Sequence, residues 1–585
     1  MILVFGGTTE GRKAAEVLEE AGKTYYYSTK TGEQDITLHH GQRIDGALDS
    51  EAMLAFCQEH DIRLIVDAAH PNAKQLHQTI IDVAAEAQIP IVRYDRIYPP
   101  RDPDITWIDD YSQIPIDIHT LLATTGVQSI SKLKPLEDKG IKIYYRILPR
   151  ESSISLAKAQ GATDDQLCFY EDGNTIDVDA DAILLKESGI SGGFAEKVAA
   201  ARAKGMRIIA LKRSKLHNGD GSFCVVCNGP HGLRRAVEKL LPEFYSLHSG
   251  LTTGTCATAA AIAATLRLIK GETPDEVPVI LPNGETINVS VTYGDGYASV
   301  FKEAGDDPDV TNGIEIRASV GPSNHFEIHG GEGVGCFTLP GFDFPPGEPA
   351  INKAPREMIR RNLERFDTLQ QTQGPSLRIT ISVPHGAEIA RRTFNPRLGI
   401  EGGISIIGVS GIVKPFSEEA FIDSIRKCMT VAKASGSERV VINSGGKSER
   451  FVKALYPNLP QQAFVEYGNY IGETLKIAHE LSISKVTLGV MLGKAVKLAQ
   501  GHLDTHSRKA TMDKTFISRL LKESDCDLDI GGITLAREIW ERLPQDRLQS
   551  FADTIISHCA EHCNPLLPNG ELTILLIDDE GNIYE

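Results

Sequence analysis

Apolar and polar positions along the first 245 residues follow two periods in turn. Ile2–Phe5 is a continuous apolar run. Ala14, Val17, Leu18 and Ala21 then share one face of a helix that Gly22 ends. Tyr25–Ser28 reads as a second strand, and Leu64–Ala69 as a strand apolar on both faces, as in buried parallel sheets. A helical pattern follows in NAKQLHQTIIDVAAEAQ. LLATTG, IKIYYRILP, AILLKESG and MRIIALKR are strand-like, with helical stretches between some of them. Strands alternating with helices predict parallel α/β architecture. Residues 99–120, rich in Pro and Asp, are the expected divide between two Rossmann-like lobes.

The texture changes after LPEFYSLHSG at 241–250. LTTGTCATAAAIAATLRLIKG reads as a small-residue helix behind a Thr/Gly turn. β-type segments follow in VPVILPNGETINVSVTYGDGYASVF, then a Gly/Pro-rich stretch from Gly330 to Pro355, then mixed α/β patterns to the end. The expected fold class is therefore α/β throughout: two-lobed parallel sheets over residues 1–245, followed by a separate mixed α/β domain over 249–585. A chain of 585 residues suits roughly three to five domains, and two enzymes joined end to end is the simplest account.

Composition narrows the choice of partner. With 61 basic and 78 acidic residues the formal charge is −17, which opposes non-specific binding to nucleic acid or to an anionic membrane. No apolar run is long enough to span a bilayer, and no basic segment precedes an apolar signal-like stretch, so a cytoplasmic protein is expected. Ten cysteines scattered over so long a chain read as reduced thiols.

Candidate chemistry begins at MILVFGGTTEGR. The dinucleotide pattern G-x-G-x-x-G keeps its first and third glycines as Gly6 and Gly11 but has Thr8 at the middle position. A helix starting directly after the first strand presents free N–H groups to a phosphate. Hydroxyls of Thr8 and Thr9 and the charge of Arg12 would add to that site; the competing reading is a plain strand–helix turn. Strand two ends in Ser28-Thr29-Lys30 with no acid to take a ribose hydroxyl, which favours NADPH over NADH. His70, in VDAAHPNA, lies just past the carboxyl end of a buried strand, where open α/β sheets bind ligands; a satisfied structural histidine is the alternative. Cys224-Val-Val-Cys227 has redox-motif spacing, and His558-Cys559 with His562-Cys563 has helical ligand spacing. No second pair follows the first at zinc-ribbon spacing, the second is a plausible ligand geometry on a helix, and no metal site is expected.

GGTTEGR, DAAHPNA, LATTG at 122–126 and LLKESGISGG at 184–193 resemble the precorrin-6A / cobalt-precorrin-6A reductase family (CbiJ/CobK), in the right order over roughly residues 1–245. The resemblance implies NAD(P)H-dependent reduction of a corrin precursor. It implies that Gly6, Gly7, Thr8, Thr9, Glu10, Gly11 and Arg12, with Ser28 and Thr29, hold the nicotinamide cofactor. His70, Thr125, Lys186, Ser188 and Gly189 would line the cleft between the lobes. His70, Lys186 and water stand as alternatives for the proton source.

SGLTTGTCATAAAIAA, GDDPDVTNG, GGEGVG, PPGEPAINKAPREMI, NPRLGIEGGISIIGVSGIV and LGKAVKLAQGHLDTHS are similar to the cobalt-precorrin-5B C(1)-methyltransferase family (CbiD), over essentially all of 249–585. That family transfers a methyl group from S-adenosyl-L-methionine to the macrocycle. The strand His325–His329 entering GGEGVG suggests a backbone that passes close to a bulky cofactor, so Gly331, Gly333 and Gly335 are the expected S-adenosylmethionine contacts. Expected substrate contacts are Thr252, Thr253, Thr255, Asp307, Lys494, Thr505 and His506; solvated surface is the competing reading for the last three and for Asp307. The implied function is a bifunctional enzyme of corrin-ring synthesis, with cobalt-precorrin tetrapyrroles as substrates and other corrin-pathway enzymes as possible partners. A corrinoid-binding carrier, or a reductase/methyltransferase of another small molecule, is the alternative. Polycarboxylate substrates call for local basic sets such as Arg146 with Arg150, or Arg360, Arg361 and Arg365.

Overall fold

The structure is a computed structural model. It describes all residues except 31, 33, 170–177, 214–223, 367–376, 508, 510, 534 and 535, and it does not describe the side chain of Cys224. Two compact units emerge: Met1–Ser249 with Ile280–Asn288, and Gly250–Val279 with Val289–Glu585.

The first unit begins with β1 (Ile2–Phe5), α1 (Thr9–Glu19), β2 (Tyr25–Thr29), β3 (Gly41–Asp45), α2 (Ser50–Glu59), β4 (Leu64–Asp67), α3 (Lys74–Ala87) and β5 (Ile91–Tyr94). A second lobe follows with β6 (Thr106–Ile108), β7 (Thr120–Ala123), α4 (Ile130–Glu137), β8 (Lys142–Ile147), α5 (Glu151–Ala159), β9 (Leu167–Phe169), β10 (Ala182–Lys186), α6 (Phe194–Ala203) and β11 (Arg207–Leu211). The chain then returns to the first sheet as β12 (Cys224–Cys227), which pairs with β5, and ends the unit with α7 (Pro230–Leu240).

Both sheets are parallel and six-stranded, in the orders β12-β5-β4-β1-β2-β3 and β6-β11-β10-β7-β8-β9. The continuous apolar runs become their inner strands: Ile2–Val4 and Leu64–Val66 in one sheet and Ile183–Leu185 in the other are fully buried, covered by helices on both faces. The Pro/Asp-rich stretch is shorter as a divider than expected, because β6 at Thr106–Ile108 already belongs to the edge of the second sheet. CVVC is a strand and not the turn opening a helix that a redox pair uses, and the described cysteines are free thiols.

In the second unit the helix Thr253–Lys270 is buried along Thr253–Thr265, where alanines let it lie close against a five-stranded mixed sheet. That sheet runs Thr292–Gly294, Tyr297–Phe301, Glu315–Pro322, Leu377–Ser382 and Glu327–Gly330. A second, mostly parallel sheet runs in the order Phe464–Glu466, Val440–Asn443, Lys485–Met491, Glu571–Ile577, with Ile583–Tyr584 antiparallel at its edge. Among the described residues no helix is long and apolar enough to cross a membrane.

Candidate functional site

Strand order locates the crevices of the first unit. In the first sheet the chain moves outward from β1 through β2 to β3, then crosses to β4 on the other side of β1. The switch point therefore opens beyond Phe5 and Asp67. Gly7 lies there, exposed, at φ +81°, with nothing within 4 Å of the place a Cβ would take. Gly6 and Gly11 answer a different need. A Cβ on Gly6 would strike the Tyr27 ring, and one on Gly11 would come within 2.6 Å of the Tyr27 hydroxyl and 2.7 Å of Gly6 Cα. They let α1 lie against β1 and β2, and of the three only Gly7 faces open space.

Thr8 caps α1. Its Oγ1 accepts from Gly11 N at 2.9 Å and donates to the Ala68 carbonyl at 2.7 Å. The hydroxyl is thus spent on joining the two strand ends, which corrects the expectation that it is free for phosphate. Glu10 is corrected too. Its buried carboxylate accepts from Arg96 Nε at 3.0 Å and from the Ser191 hydroxyl, so it joins the lobes and is not presented to a cofactor. Ser28 and Thr29 are buried, and Thr29 Oγ1 donates to Asp45 Oδ1 at 2.8 Å. The acid missing from the end of β2 is therefore supplied by β3, and it is paired with Arg43. The argument for NADPH over NADH from a missing acid loses its basis. What remains for a diphosphate is the Gly7–Thr9 turn at the start of α1, with Arg12 exposed one turn on. Gln34 Oε1 now accepts from Gly7 N at 3.0 Å.

The second sheet repeats the switch between β7 and β10. Thr125, Lys186, Ser188 and Gly189 lie at the strand ends beside it. Thr125 is buried on Ser129 Oγ at 2.6 Å, and Gly189, at φ +69°, admits the Ile97 carbonyl. Ser188 presents its carbonyl to Arg96 NH1 at 2.9 Å. Lys186 ends β10, and its side chain has no hydrogen bond or ion pair among the described residues; burial and then Lys132 hold its pKa below the usual lysine value. His70 comes from the first lobe. The residue is exposed, its Nδ1 accepts from Asn72 N at 3.2 Å, and protein atoms still crowd it. That partial burial first, then the positive charges of Arg96 and Lys186, push its pKa down to about 4. The structure thus brings His70, Lys186, Arg96 and Glu10 together from four separate segments.

In the second unit most of the expected contacts serve the fold. Thr252 caps the helix at Thr255 N. Thr253 Oγ1 donates toward the Ser405 and Ile407 carbonyls, and Thr255 Oγ1 donates to Gly411 O at 2.6 Å. The Thr253 and Thr255 hydroxyls hold the glycine-rich loop 402–411, and the Thr252 hydroxyl is spent on the helix cap. Asp307 accepts from Phe416 N at 3.1 Å. Lys494 donates to the Gly468 carbonyl, and buried Thr505 reaches the Asn469 carbonyl at 3.4 Å; His506 N donates to Asp504 at 3.0 Å.

The Gly331–Gly335 turn is also filled by protein. Gly333, at φ +70°, would drive a Cβ into the Val383 carbonyl, and one on Gly335 would come within 2.7 Å of Ile400 Cγ2. Its glycines let three backbone segments meet, so the space assigned to S-adenosylmethionine at Gly333 is not there. Beside the turn lies a cavity of about 960 Å³ lined by His325, His329, Phe344, Arg356 and Arg360 among others. Arg360 stacks 4.7 Å over Phe326 and Arg356 stacks 4.0 Å over Phe344. Among the described residues no group of three or more His, Cys, Asp or Glu is arranged to hold a metal.

Residues 242–415 match the CbiD family model and 504–584 match the model of the CbiD C-terminal domain. The cobalt-precorrin-5B C(1)-methyltransferase of Prosthecochloris aestuarii is 41% identical over 348 residues, covering 57% of this chain and 94% of that protein. The chain belongs to the cobalt-precorrin-5B C(1)-methyltransferase (CbiD) family. The enzyme of that name from Priestia megaterium is 40% identical over 334 residues, 55% of this chain and 91% of its own. Ahead of this CbiD part, residues 1–226 match the precorrin-6x reductase CbiJ/CobK model. A solved CobK precorrin-6A reductase aligns over 41% of this chain and 96% of its own at 17% identity, with a TM-score of 0.33. A CbiJ/CobK reductase domain and a CbiD methyltransferase thus stand in one chain, a bifunctional enzyme of cobalamin biosynthesis.

Sequence reading missed the residues that position the reductase crevice. Asp67, at the end of β4, accepts from Arg93 NH1 at 2.9 Å and is 2.6 Å from His77 Nδ1. His77 Nε2 in turn lies 3.0 Å from the His70 carbonyl. This buried triad fixes the loop that carries His70. Its signal was present: an acid and an arginine inside otherwise apolar strands, LIVD and IVRY, have to find each other.

Proposed function

We propose that the CbiD part methylates cobalt-precorrin-5B at C-1 with S-adenosylmethionine and that the CbiJ/CobK part reduces cobalt-precorrin-6A with NAD(P)H. The observation that carries the reductase reading is the convergence of Lys186, His70 and Arg96 on the crevices that Gly7–Thr9 opens. The Gly7–Thr9 turn suits a diphosphate, because its helix-start N–H groups and its one open glycine leave room for close approach. Bound there, a reduced nicotinamide would supply a hydride; S-adenosylmethionine would supply the methyl group in the other unit.

The chain's own groups divide the remaining work. With a pKa near 4, His70 is neutral at physiological pH and accepts or donates hydrogen bonds without carrying charge. Burial first and Lys132 second lower the Lys186 pKa, which makes it the better acid, so Lys186 Nζ is the proton donor of this reading. Lys132, Arg146 and Lys197 lie around the same strand ends and offset the −17 of the whole chain where a polycarboxylate arrives.

Incubation of the full chain with cobalt-precorrin-5B and S-adenosylmethionine should add one methyl mass. Cobalt-precorrin-6A with NADPH should gain two hydrogens. Gly7→Val should weaken NADPH binding at least tenfold and leave methyl transfer intact. Normal NADPH binding by that variant removes the opening turn from the cofactor site, and failure of either mass change removes that half of the function.

A further inference from the structure

The parallel sheet that closes the second unit has a switch point of its own. The chain passes from Val440–Asn443 outward to Phe464–Glu466, then back across to Lys485–Met491 on the other side. A crevice therefore opens beyond the carboxyl ends of Val440–Asn443 and Lys485–Met491, the place where open α/β sheets take ligands. The first of these strands leads through Ser444 and Gly445 straight into the helix Gly446–Leu455. Asn443, fully buried, fixes this turn: Oδ1 accepts from Gly445 N at 3.0 Å, and Nδ2 donates to the Val465 carbonyl at 3.3 Å. Nothing lies within 4 Å of the place a Cβ would take on Gly446, or on Gly493 just past the second strand end.

Glu466 ends the neighbouring strand, about 20 residues beyond the glycine turn, the spacing at which an acid takes ribose hydroxyls in nucleotide-binding βαβ units. A Cβ on Gly445 would stand 3.2 Å from Glu466 Oε1, so the carboxylate lies over the turn. It is half-buried and makes no hydrogen bond among the described residues. Burial raises its pKa; the nearby Arg397 and Lys494 oppose this, and Glu449 adds to it. The hydroxyls at the turn are engaged with one another: Ser444 Oγ lies 3.0 Å from Ser448 Oγ. Ser448 is 1% exposed and bonded back to the Gly445 carbonyl at 3.0 Å, and Lys447 is paired with Asp579. A ribose acid with a glycine approach and no phosphate clamp suits an adenosyl ligand without phosphate.

We propose that the adenosyl group of S-adenosylmethionine binds in this crevice, with the Glu466 carboxylate accepting from the ribose hydroxyls and the Gly445–Gly446 turn giving the ligand room. The proposal rests on the methyl-donor reading above and moves its site away from Gly331–Gly335.

Calorimetric titration of the full chain with S-adenosylhomocysteine tests it. Gly446→Leu adds a side chain only to open space and should fold as wild type, checked by circular dichroism and thermal unfolding, yet bind at least tenfold more weakly. Glu466→Gln keeps the shape and should also lose at least tenfold; it decides the matter should Gly446→Leu fail to fold. Wild-type binding with unchanged affinity in the folded variants overturns the placement and leaves the donor reading standing. No binding by the wild type overturns the donor reading and the placement together.

Discussion

Glu10, on α1, holds the Arg96 guanidinium at 3.0 Å in a site where both side chains are under 10% exposed. Arg96 also reaches the Ser188 carbonyl, and Ser191 donates to Glu10. One ion pair therefore ties the start of α1 in the first lobe to the glycine turn of the second.

Glu10→Gln should uncouple the two. Removing one partner of a buried pair leaves the other charge uncompensated, at about 3–5 kcal/mol. The reductase unit should melt earlier and lose cobalt-precorrin-6A reduction, while methyl transfer persists. The acid limb has a definite sign. Burial alone would raise the Glu10 pKa, but the Ser191 hydrogen bond and the Arg96 charge overcome it and hold the group below 4.5. Its contribution is complete above 4.5 and is lost as pH falls through the depressed value. Urea midpoints of wild type and variant should therefore converge on acidification; a constant gap would exclude this pair as the cause.

Lys186→Met should lower the reduction rate by roughly 10²–10⁴, the usual range for a positioned acid, with NADPH affinity unchanged. The wild-type rate should fall on the alkaline side at a pH below 10.5, because burial first and Lys132 second depress this lysine. His70 should add no inflection near 6.5, since it titrates at about 4. Between pH 4 and 6.5 the unfolded chain binds a proton there that the folded chain refuses, so stability rises with pH across that window and is flat above it. His70→Asn should remove that slope from unfolding midpoints measured at pH 5 and 7. A slope that survives in the variant assigns it to another group.

The crevices of the first unit were legible in sequence because they depend on local pattern. A buried apolar strand followed by Gly7 or by Lys186-Glu187-Ser188-Gly189 announces a strand end, and strand ends are where parallel sheets bind. What each side chain does there was not legible, because hydrogen bonds are settled by partners distant in the chain. Thr8 is used by Ala68, 60 residues on, and Glu10 by Arg96, 86 residues on. The same holds for the return of β12 to the first sheet, which no local period encodes. Glycine was the most misleading signal: Gly7 and Gly333 both have positive φ, but one faces open space and the other a carbonyl.

Gly333→Ala turns that contrast into an experiment. The left-handed backbone costs an added Cβ roughly 1–2 kcal/mol. The Val383 carbonyl it would strike has to move, and the Gly333 carbonyl itself receives Ile404 N at 2.8 Å. The expected result is earlier melting of the methyltransferase unit with loss of methyl transfer, and reduction spared. Selective loss of S-adenosylmethionine affinity at unchanged melting would instead return the donor to this turn.

The last prediction concerns where the chain can be divided. We propose that residues 1–245 and 249–585 fold separately, but residues Ile280–Asn288 group with the first unit. Glu285 explains the cost of leaving them out. It is fully buried, and its Oε2 accepts from His231 N at 3.0 Å and Gly232 N at 3.1 Å in the first turn of α7. Thr286 N donates to Asn228 Oδ1 at 2.7 Å just ahead of that helix. Gly229 is glycine because a Cβ there would strike the Glu285 carboxylate. An acid capping the start of a helix contributes about 0.5–2 kcal/mol, and more when the N–H groups it covers are buried. A fragment ending at Ser249 should therefore be soluble and bind NADPH, yet melt several degrees below the reductase transition of the full chain. Glu285→Ala in the full chain should lower that transition by a similar amount and leave the methyltransferase transition in place. Equal melting of fragment and full chain would show that α7 needs no cap. An insoluble fragment would show that 280–288 is part of the folding unit itself, and no single cut would then divide the chain, because Gly250–Val279 belongs to the second unit.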